Sequence, residues 1–177
     1  MSVPTLLTER LIIRPVEKRD HEALAKMRAN EDVGNFIGGT RSSQDVWMTM
    51  LRSHGLWAML GYGYWTAEHR QTGSLIGEVG FADFKRGIEP DISGTPEAGW
   101  IIAPEAWGQG YASEAMKAAH DWLDEAHPSR STCIINPDNG ASIRVAEKLG
   151  YTDFALTDIS GDPILVFERF SPGTRKG

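Results

Sequence analysis

The order of elements along this chain predicts a mixed α/β (α+β) fold, and three observations carry it. Alternation of period two marks about six to seven short strands, and apolar stripes near period 3.6 mark about four helices. Their order is strand, two helices, three strands, helix, strand, helix and two strands. A doubly wound nucleotide-binding sheet would alternate strand and helix throughout, so a mixed sheet is expected instead. The length of 177 residues, with 41% hydrophobic and 24% charged side chains, fits one domain over residues 1–177. Such a domain buries about 70% of the surface its unfolded chain exposes.

Leu11-Ile12-Ile13-Arg14 forms the first strand, and Pro15 stops it. Asp20 stands in the N-cap position of a helix that carries Ala23, Leu24 and Met27 on one face. Residues 34–40 read as a loop. A second helix starts near Ser42 or Ser43 and presents Trp47, Met50, Leu51, His54 and Ala58. Residues 62–67 and 75–81 then read as strands joined by a turn at 70–73. Residues 89–94 form a polar loop, and 97–103 form a strand leading through Pro104 into a glycine turn. The following helix shows Ala112, Ala115, Met116, Ala119, Trp122, Leu123 and Ala126 as a stripe, and Pro128 ends it. A short strand at 132–135 precedes a helix over 139–149, with Gly150 in the C′ position that favours a left-handed turn. Strands at 154–159 and 163–170 complete the chain as a hairpin across Ser160-Gly161-Asp162.

The net charge of −6 and a pI near 5.4 argue against a nucleic-acid binder, which carries a basic patch. A single cysteine, Cys133, excludes an internal disulfide framework and fits a reducing compartment. Nothing resembling a signal peptide opens the chain, and no stretch reaches the ~20 apolar residues of a membrane span. The five histidines lack metal-ligand spacing. A cytoplasmic protein with no metal, nucleic-acid or membrane partner is expected, as a monomer or homodimer.

The stretch richest in chemistry is Trp107-Gly108-Gln109-Gly110-Tyr111-Ala112-Ser113, between an apolar strand and an amphipathic helix. The start of a helix exposes unpaired N–H groups and the positive end of the peptide dipoles. Glycines there let an anion reach the backbone, so the turn reads as a pyrophosphate cradle. It nearly spells the dinucleotide fingerprint, but Ser113 holds the third glycine position and no glycine turn follows the first strand. The Gly-Lys-Ser/Thr of a triphosphate loop is absent too. Seen alone, the turn also reads as a plain strand-to-helix connection.

Its neighbours are more specific. Pro96-Glu97-Ala98-Gly99-Trp100-Ile101-Ile102-Ala103-Pro104-Glu105-Ala106-Trp107-Gly108-Gln109-Gly110-Tyr111-Ala112-Ser113-Glu114-Ala115 resembles the core motif of the GNAT superfamily of N-acetyltransferases. The block Asn136-Pro137-Asp138-Asn139-Gly140-Ala141-Ser142, continuing to Glu147-Lys148-Leu149-Gly150-Tyr151, is similar to the branch containing the ribosomal-protein-alanine acetyltransferases. Thr8-Glu9-Arg10-Leu11-Ile12-Ile13-Arg14-Pro15 resembles that branch's opening strand. The resemblance implies the GNAT fold, with its sheet splayed at the cofactor cleft and acetyl-CoA as cosubstrate. Two positions depart from the general pattern. Trp107 replaces the usual Arg or Gln, and Ala146 stands seven residues after Asn139, where many members carry a tyrosine acid.

By that resemblance, backbone groups of Ile101, Ile102 and Ala103 pair with the pantetheine arm, and one strand N–H stabilises the oxyanion. Backbone N–H groups of Trp107, Gly108, Gln109, Gly110, Tyr111, Ala112 and Ser113 take the pyrophosphate. Asn139 and Ser142 contact the cofactor from the next helix, and Lys148 approaches its adenosine end. The acceptor is a primary amine, on a small molecule or a protein N-terminus. An amine of pKa near 10 is only about 0.1% neutral at pH 7, so its proton needs a path. Glu97 is the first candidate base, facing the cleft in the strand's period of two, and Glu78 the second. Each equally fits a salt-bridge partner. Ser142 is the candidate acid in place of the tyrosine, or simply a helix-start serine. Cys133, in an apolar strand, reads as buried structure rather than a nucleophile. The alternative function is a non-catalytic acyl-CoA-binding or sensing module, which the missing tyrosine favours.

Overall fold

The computed structural model describes residues 3–174. Its strands are β1 (Leu6–Leu7), β2 (Leu11–Arg14), β3 (Tyr64–His69), β4 (Leu75–Ala82), β5 (Glu97–Ile102), β6 (Arg130–Ile135), β7 (Thr152–Ile159) and β8 (Asp162–Phe170). The helices are α1 (His21–Ala29), α2 (Glu31–Gly34), α3 (Ser43–Leu60), α4 (Tyr111–Ala126) and α5 (Gly140–Lys148). The strands form one mixed sheet in the order β1-β2-β3-β4-β5-β6-β8-β7. This is the expected mixed α/β class, with one strand and one helix more than the sequence pattern predicts. Two-residue β1 and four-residue α2 are too short to show a period. α2 is recognisable only by its cap, Asn30 accepting from the Val33 N–H at 3.1 Å. Among the described residues, no helix is long and apolar enough to cross a membrane.

The chain divides into two compact units. One is built from the chain up to Gly80 together with Trp100–Ala119, the other from Phe81–Gly99 and the chain from His120 onward. In the first, β2, β3 and β4 pair antiparallel, with Ile13 opposite Ala67 and Thr66 opposite Glu78. Val16, Leu24, Met27, Val46, Met50 and Ala103 form a core cluster. The buried face of α3 is Val46, Met50, Ser53 and Trp57, while Leu51, His54 and Ala58 are exposed. Of the expected stripe, Met50 is buried and Trp47 packs half-buried on the core, whereas Leu51, His54 and Ala58 lie one position past the buried face, and spacing alone does not choose between adjacent stripes. Trp57 decides it: its indole N–H donates to the Tyr64 carbonyl at 3.1 Å and its ring meets Trp65 edge-on. In α1, Leu24 and Met27 are buried but Ala23 is exposed.

Asp20 is positionally the N-cap of α1, yet its carboxylate makes no capping bond. It accepts instead from both terminal nitrogens of buried Arg14, at 2.8 and 2.7 Å, and from the Glu17 N–H. A buried guanidinium requires a charged, hydrogen-bonded partner, and that demand outweighs an N-cap bond.

In the second unit β6, β8 and β7 pair antiparallel, and β5 meets β6 in parallel at Glu97 and Thr132. The β7–β8 turn holds Ser160 at φ 55° and Gly161 at φ 90°, as a two-residue hairpin of matching twist requires. The loop between β4 and β5 is anchored by Ile88 and Ile92, which pack on Ile164 and Val166. α5 ends as its glycine predicts: Gly150, at φ 88°, donates to Glu147 and the Tyr151 N–H donates to Ala146.

Candidate active site

The glycine turn lies in the first unit. Gly108 and Gly110 have φ of 73° and 81°, a backbone conformation that disfavours any side chain. A Cβ on Gly108 would meet no atom within 4 Å, and on Gly110 only an Arg10 nitrogen at 3.7 Å. The turn is therefore open as well as glycine-dependent. The Glu114 N–H donates to the Gly110 carbonyl at 3.1 Å as the first i→i−4 bond of α4. The N–H groups of Tyr111, Ala112 and Ser113 precede that ladder, at the positive end of a sixteen-residue helix. Backbone of this kind fits a pyrophosphate.

The strand before the turn presents its polar groups selectively. Ala103 donates its N–H to the Ile76 carbonyl at 2.8 Å, and the Ile101 carbonyl lies so close to Gly77 that a Cβ there would fall 2.1 Å from it. The main-chain groups of Ile101 and Ala103 are thus turned to β4. Alternation along the strand turns those of Trp100 and Ile102 to the opposite side. There the Ile102 carbonyl accepts from the Trp107 indole N–H at 2.7 Å. Trp107 hence ties the turn to β5, a role its place in the motif did not reveal. Of the expected pantetheine partners, Ile102 has the outward orientation. Trp100 shares it, which the motif does not reveal because strand phase relative to β4 is not written in it.

Both candidate bases are buried and ion-paired. Glu78, in the first unit, accepts from Arg28 Nε and Nη2 at its Oε2, each at 2.7 Å. Glu97, in the second, binds Arg86 through both oxygens, with Nε at 2.7 and 3.0 Å and Nη2 at 2.7 Å. Burial pushes the Glu97 carboxyl above the usual carboxylate range, and the Arg86 bonds only partly oppose this. Arg28 and Arg86 lie 50 and 11 residues from their partners. No local spacing signals either pair.

Also in the second unit, Asn139 caps α5 by accepting from the Ser142 N–H at 3.0 Å. The cap uses the Ser142 backbone and leaves its hydroxyl outside it. Lys148 is exposed in the last turn of α5, and Ala146 is fully buried. Cys133 is buried, and desolvation followed by the charge of Glu97 raises its thiol well above the ordinary value. Burial thus favours the protonated thiol, as expected of a structural cysteine.

Comparison with known proteins adds the decisive observation. Residues 10–152 match the family described as Acetyltransferase (GNAT) domain. The chain belongs to the GNAT acetyltransferase family. It is 30% identical to the uncharacterized N-acetyltransferase YoaA of Bacillus subtilis (strain 168) over 84% of this chain and 82% of that protein. A GNAT-family acetyltransferase from Bordetella pertussis superimposes with a TM-score of 0.84 at 27% identity, covering 94% of this chain and 99% of that one. More distant structures share the fold. A ribosomal-protein-S5-alanine acetyltransferase from Vibrio fischeri has a TM-score of 0.79 at 16% identity, covering 98% and 100% of the two chains. The spermidine N-acetyltransferase of Vibrio cholerae, solved with CoA and spermine, has a TM-score of 0.72 at 16% identity, covering 93% and 97%. The GNAT relatives are named acetyltransferases, and this chain is an enzyme of that class.

Proposed function

We propose that this protein is an acetyl-CoA-dependent N-acetyltransferase in which a primary amine attacks the thioester directly, in one domain spanning the chain. The observation that carries the reading is the open turn at Gly108 and Gly110, held in positive φ at the N-terminus of α4. When bound, acetyl-CoA supplies the acetyl group already activated as a thioester.

The N–H groups from Trp107 to Ser113 hold the pyrophosphate, and Lys148 serves the adenosine end. The outward backbone of Trp100 and Ile102 aligns the pantetheine arm, and a β5 N–H polarises the thioester carbonyl. Asn139 orders the start of α5, whose Ser142 hydroxyl donates to the departing thiolate. Glu97 accepts the proton of the attacking amine, directly or through one water; its raised pKa makes it a stronger base than an ordinary carboxylate. Glu78 is the second candidate for that role. An acidic chain of net charge −6 favours a cationic acceptor. Its three sequence blocks favour the ribosomal-protein-alanine branch. Relatives of the same fold named for a ribosomal protein and for spermidine support an acceptor that is a protein N-terminus or a small amine.

One observation favours a non-catalytic acyl-CoA-binding module: buried Ala146 at the tyrosine position leaves no phenol for the leaving thiolate. The two readings separate when the protein is incubated with acetyl-CoA and a panel of polyamines, amino acids and N-terminal peptides. Amine-dependent release of free CoA thiol is the expected result. Binding of acetyl-CoA without release across the panel would leave the binding module.

A further inference from the structure

Arg10, just before β2, reaches the glycine turn from 99 residues away, where its Nη1 donates to the Gln109 carbonyl at 3.0 Å. The same guanidinium lies 4.2 Å above the Tyr111 ring and binds Glu114 through Nε at 2.7 Å and Nη2 at 2.6 Å. The Arg10 backbone N–H and the Thr8 hydroxyl bind the other Glu114 oxygen at 2.9 and 2.6 Å. Glu114 thus stands in the first turn of α4 with both oxygens engaged, all by the segment leading into β2. Burial pushes its carboxyl upward, but these bonds outweigh it and hold the group below its ordinary range. It is charged at neutral pH.

A carboxylate in the first turn normally stabilises a helix by meeting its positive end. At an anion-binding N-terminus the same charge competes with the ligand. A bare Glu114 would oppose the phosphates that the preceding N–H groups are free to hold. Arg10 cancels that charge from the side of the turn, and its bond to Gln109 fixes the loop between the two glycines.

We propose that Arg10 is a positioning residue of the donor site, screening Glu114 and pinning Gln109 so that the turn receives a dianionic pyrophosphate without an opposing charge. This rests on the reading of the turn as the pyrophosphate site. It adds a charge-balancing pair to a site otherwise made of backbone.

Calorimetric titration with acetyl-CoA and with acetylpantetheine, which lacks the pyrophosphate, tests it in four proteins. Arg10→Gln weakens acetyl-CoA binding about tenfold relative to wild type. Glu114→Gln, with Arg10 retained, binds severalfold tighter than wild type, and the double variant recovers most of the loss. Acetylpantetheine affinity stays the same in all four. A double variant as weak as Arg10→Gln, or an Arg10→Gln protein that binds like wild type, overturns the proposal. Should Arg10→Gln fail to fold, Glu114→Gln decides alone, and affinity equal to or below wild type overturns it. A wild type that does not bind acetyl-CoA removes the pyrophosphate reading of the turn itself, and the inference falls with it.

Discussion

The glycine turn and the buried carboxylates Glu78 and Glu97 are built on opposite plans. In the turn the groups proposed to bind the donor are backbone N–H groups, and the Trp107 and Arg10 side chains bond to nearby carbonyls, those of Ile102 and Gln109. At the carboxylates the side chain is itself the proposed working group, and each is bound to an arginine, Glu78 to Arg28 of α1 and Glu97 to Arg86 of the β4–β5 loop. A backbone site is complete once the chain has folded. A carboxylate acts as a base only as far as its arginine leaves an oxygen for the amine or a water. On the proposed reading, donor binding rests on backbone, while proton transfer depends on what Arg86 or Arg28 leaves open.

Substitutions that touch only one of the two regions sharpen this contrast. Glu97→Gln is expected to lower turnover about 10²–10³-fold while acetyl-CoA affinity stays within about twofold. The pH dependence gives the sign. With Glu97 as the proposed base, which works only when ionised, wild-type activity is expected to fall as pH drops through its pKa, which burial places above the ordinary carboxylate value. An identical acid limb in Glu97→Gln would remove Glu97 as the base.

Gly77→Ala drives a methyl group into the Ile101 carbonyl, and backbone cannot swing away. A loss of about 3 kcal/mol in urea unfolding is expected. Asp124 is half-buried against Arg169 at 2.8 and 2.6 Å and accepts from Ser171 at 2.6 Å. Burial raises its pKa, but these bonds outweigh burial and set it below the ordinary value. The stability it contributes is therefore present above its unfolded pKa and lost as pH falls through its lower folded one. Asp124→Asn should cost about 2 kcal/mol at neutral pH and flatten that acid dependence. The smallest effect is expected for Trp107→Phe, which loses one indole bond to Ile102. Acetyl-CoA binding should weaken about fivefold, near 1 kcal/mol, with unfolding unchanged.

Much of this architecture was legible because its signals are local. The Gly150 C′ turn is fixed by near neighbours, and so is most of the α4 stripe: Ala115, Met116, Ala119 and Leu123 are buried, whereas Ala126 near its end is exposed and His120 takes a buried place that apolar spacing does not include. Spacing finds Met50 on the buried face of α3 but not Trp57, which is oriented by Tyr64 and Trp65 on another element. Asp20 was read as a cap because the buried Arg14 that claims it gives no local signal. The arginines on Glu78 and Glu97 escaped notice for the same reason. Arg10 and Glu114 stood in plain view within two of the recognised blocks, but only folding joins residues 104 positions apart.

The central claim is that backbone in the turn, rather than a side chain, recognises the acetyl donor. Calorimetric titration of wild type and Gly110→Val with acetyl-CoA tests it most directly, with circular dichroism confirming that both are folded. The account predicts binding by wild type and affinity about a hundredfold lower in the variant, whose side chain obstructs phosphate approach and strains a φ of 81°. Equal affinity in the two proteins, or no binding by wild type, would contradict it.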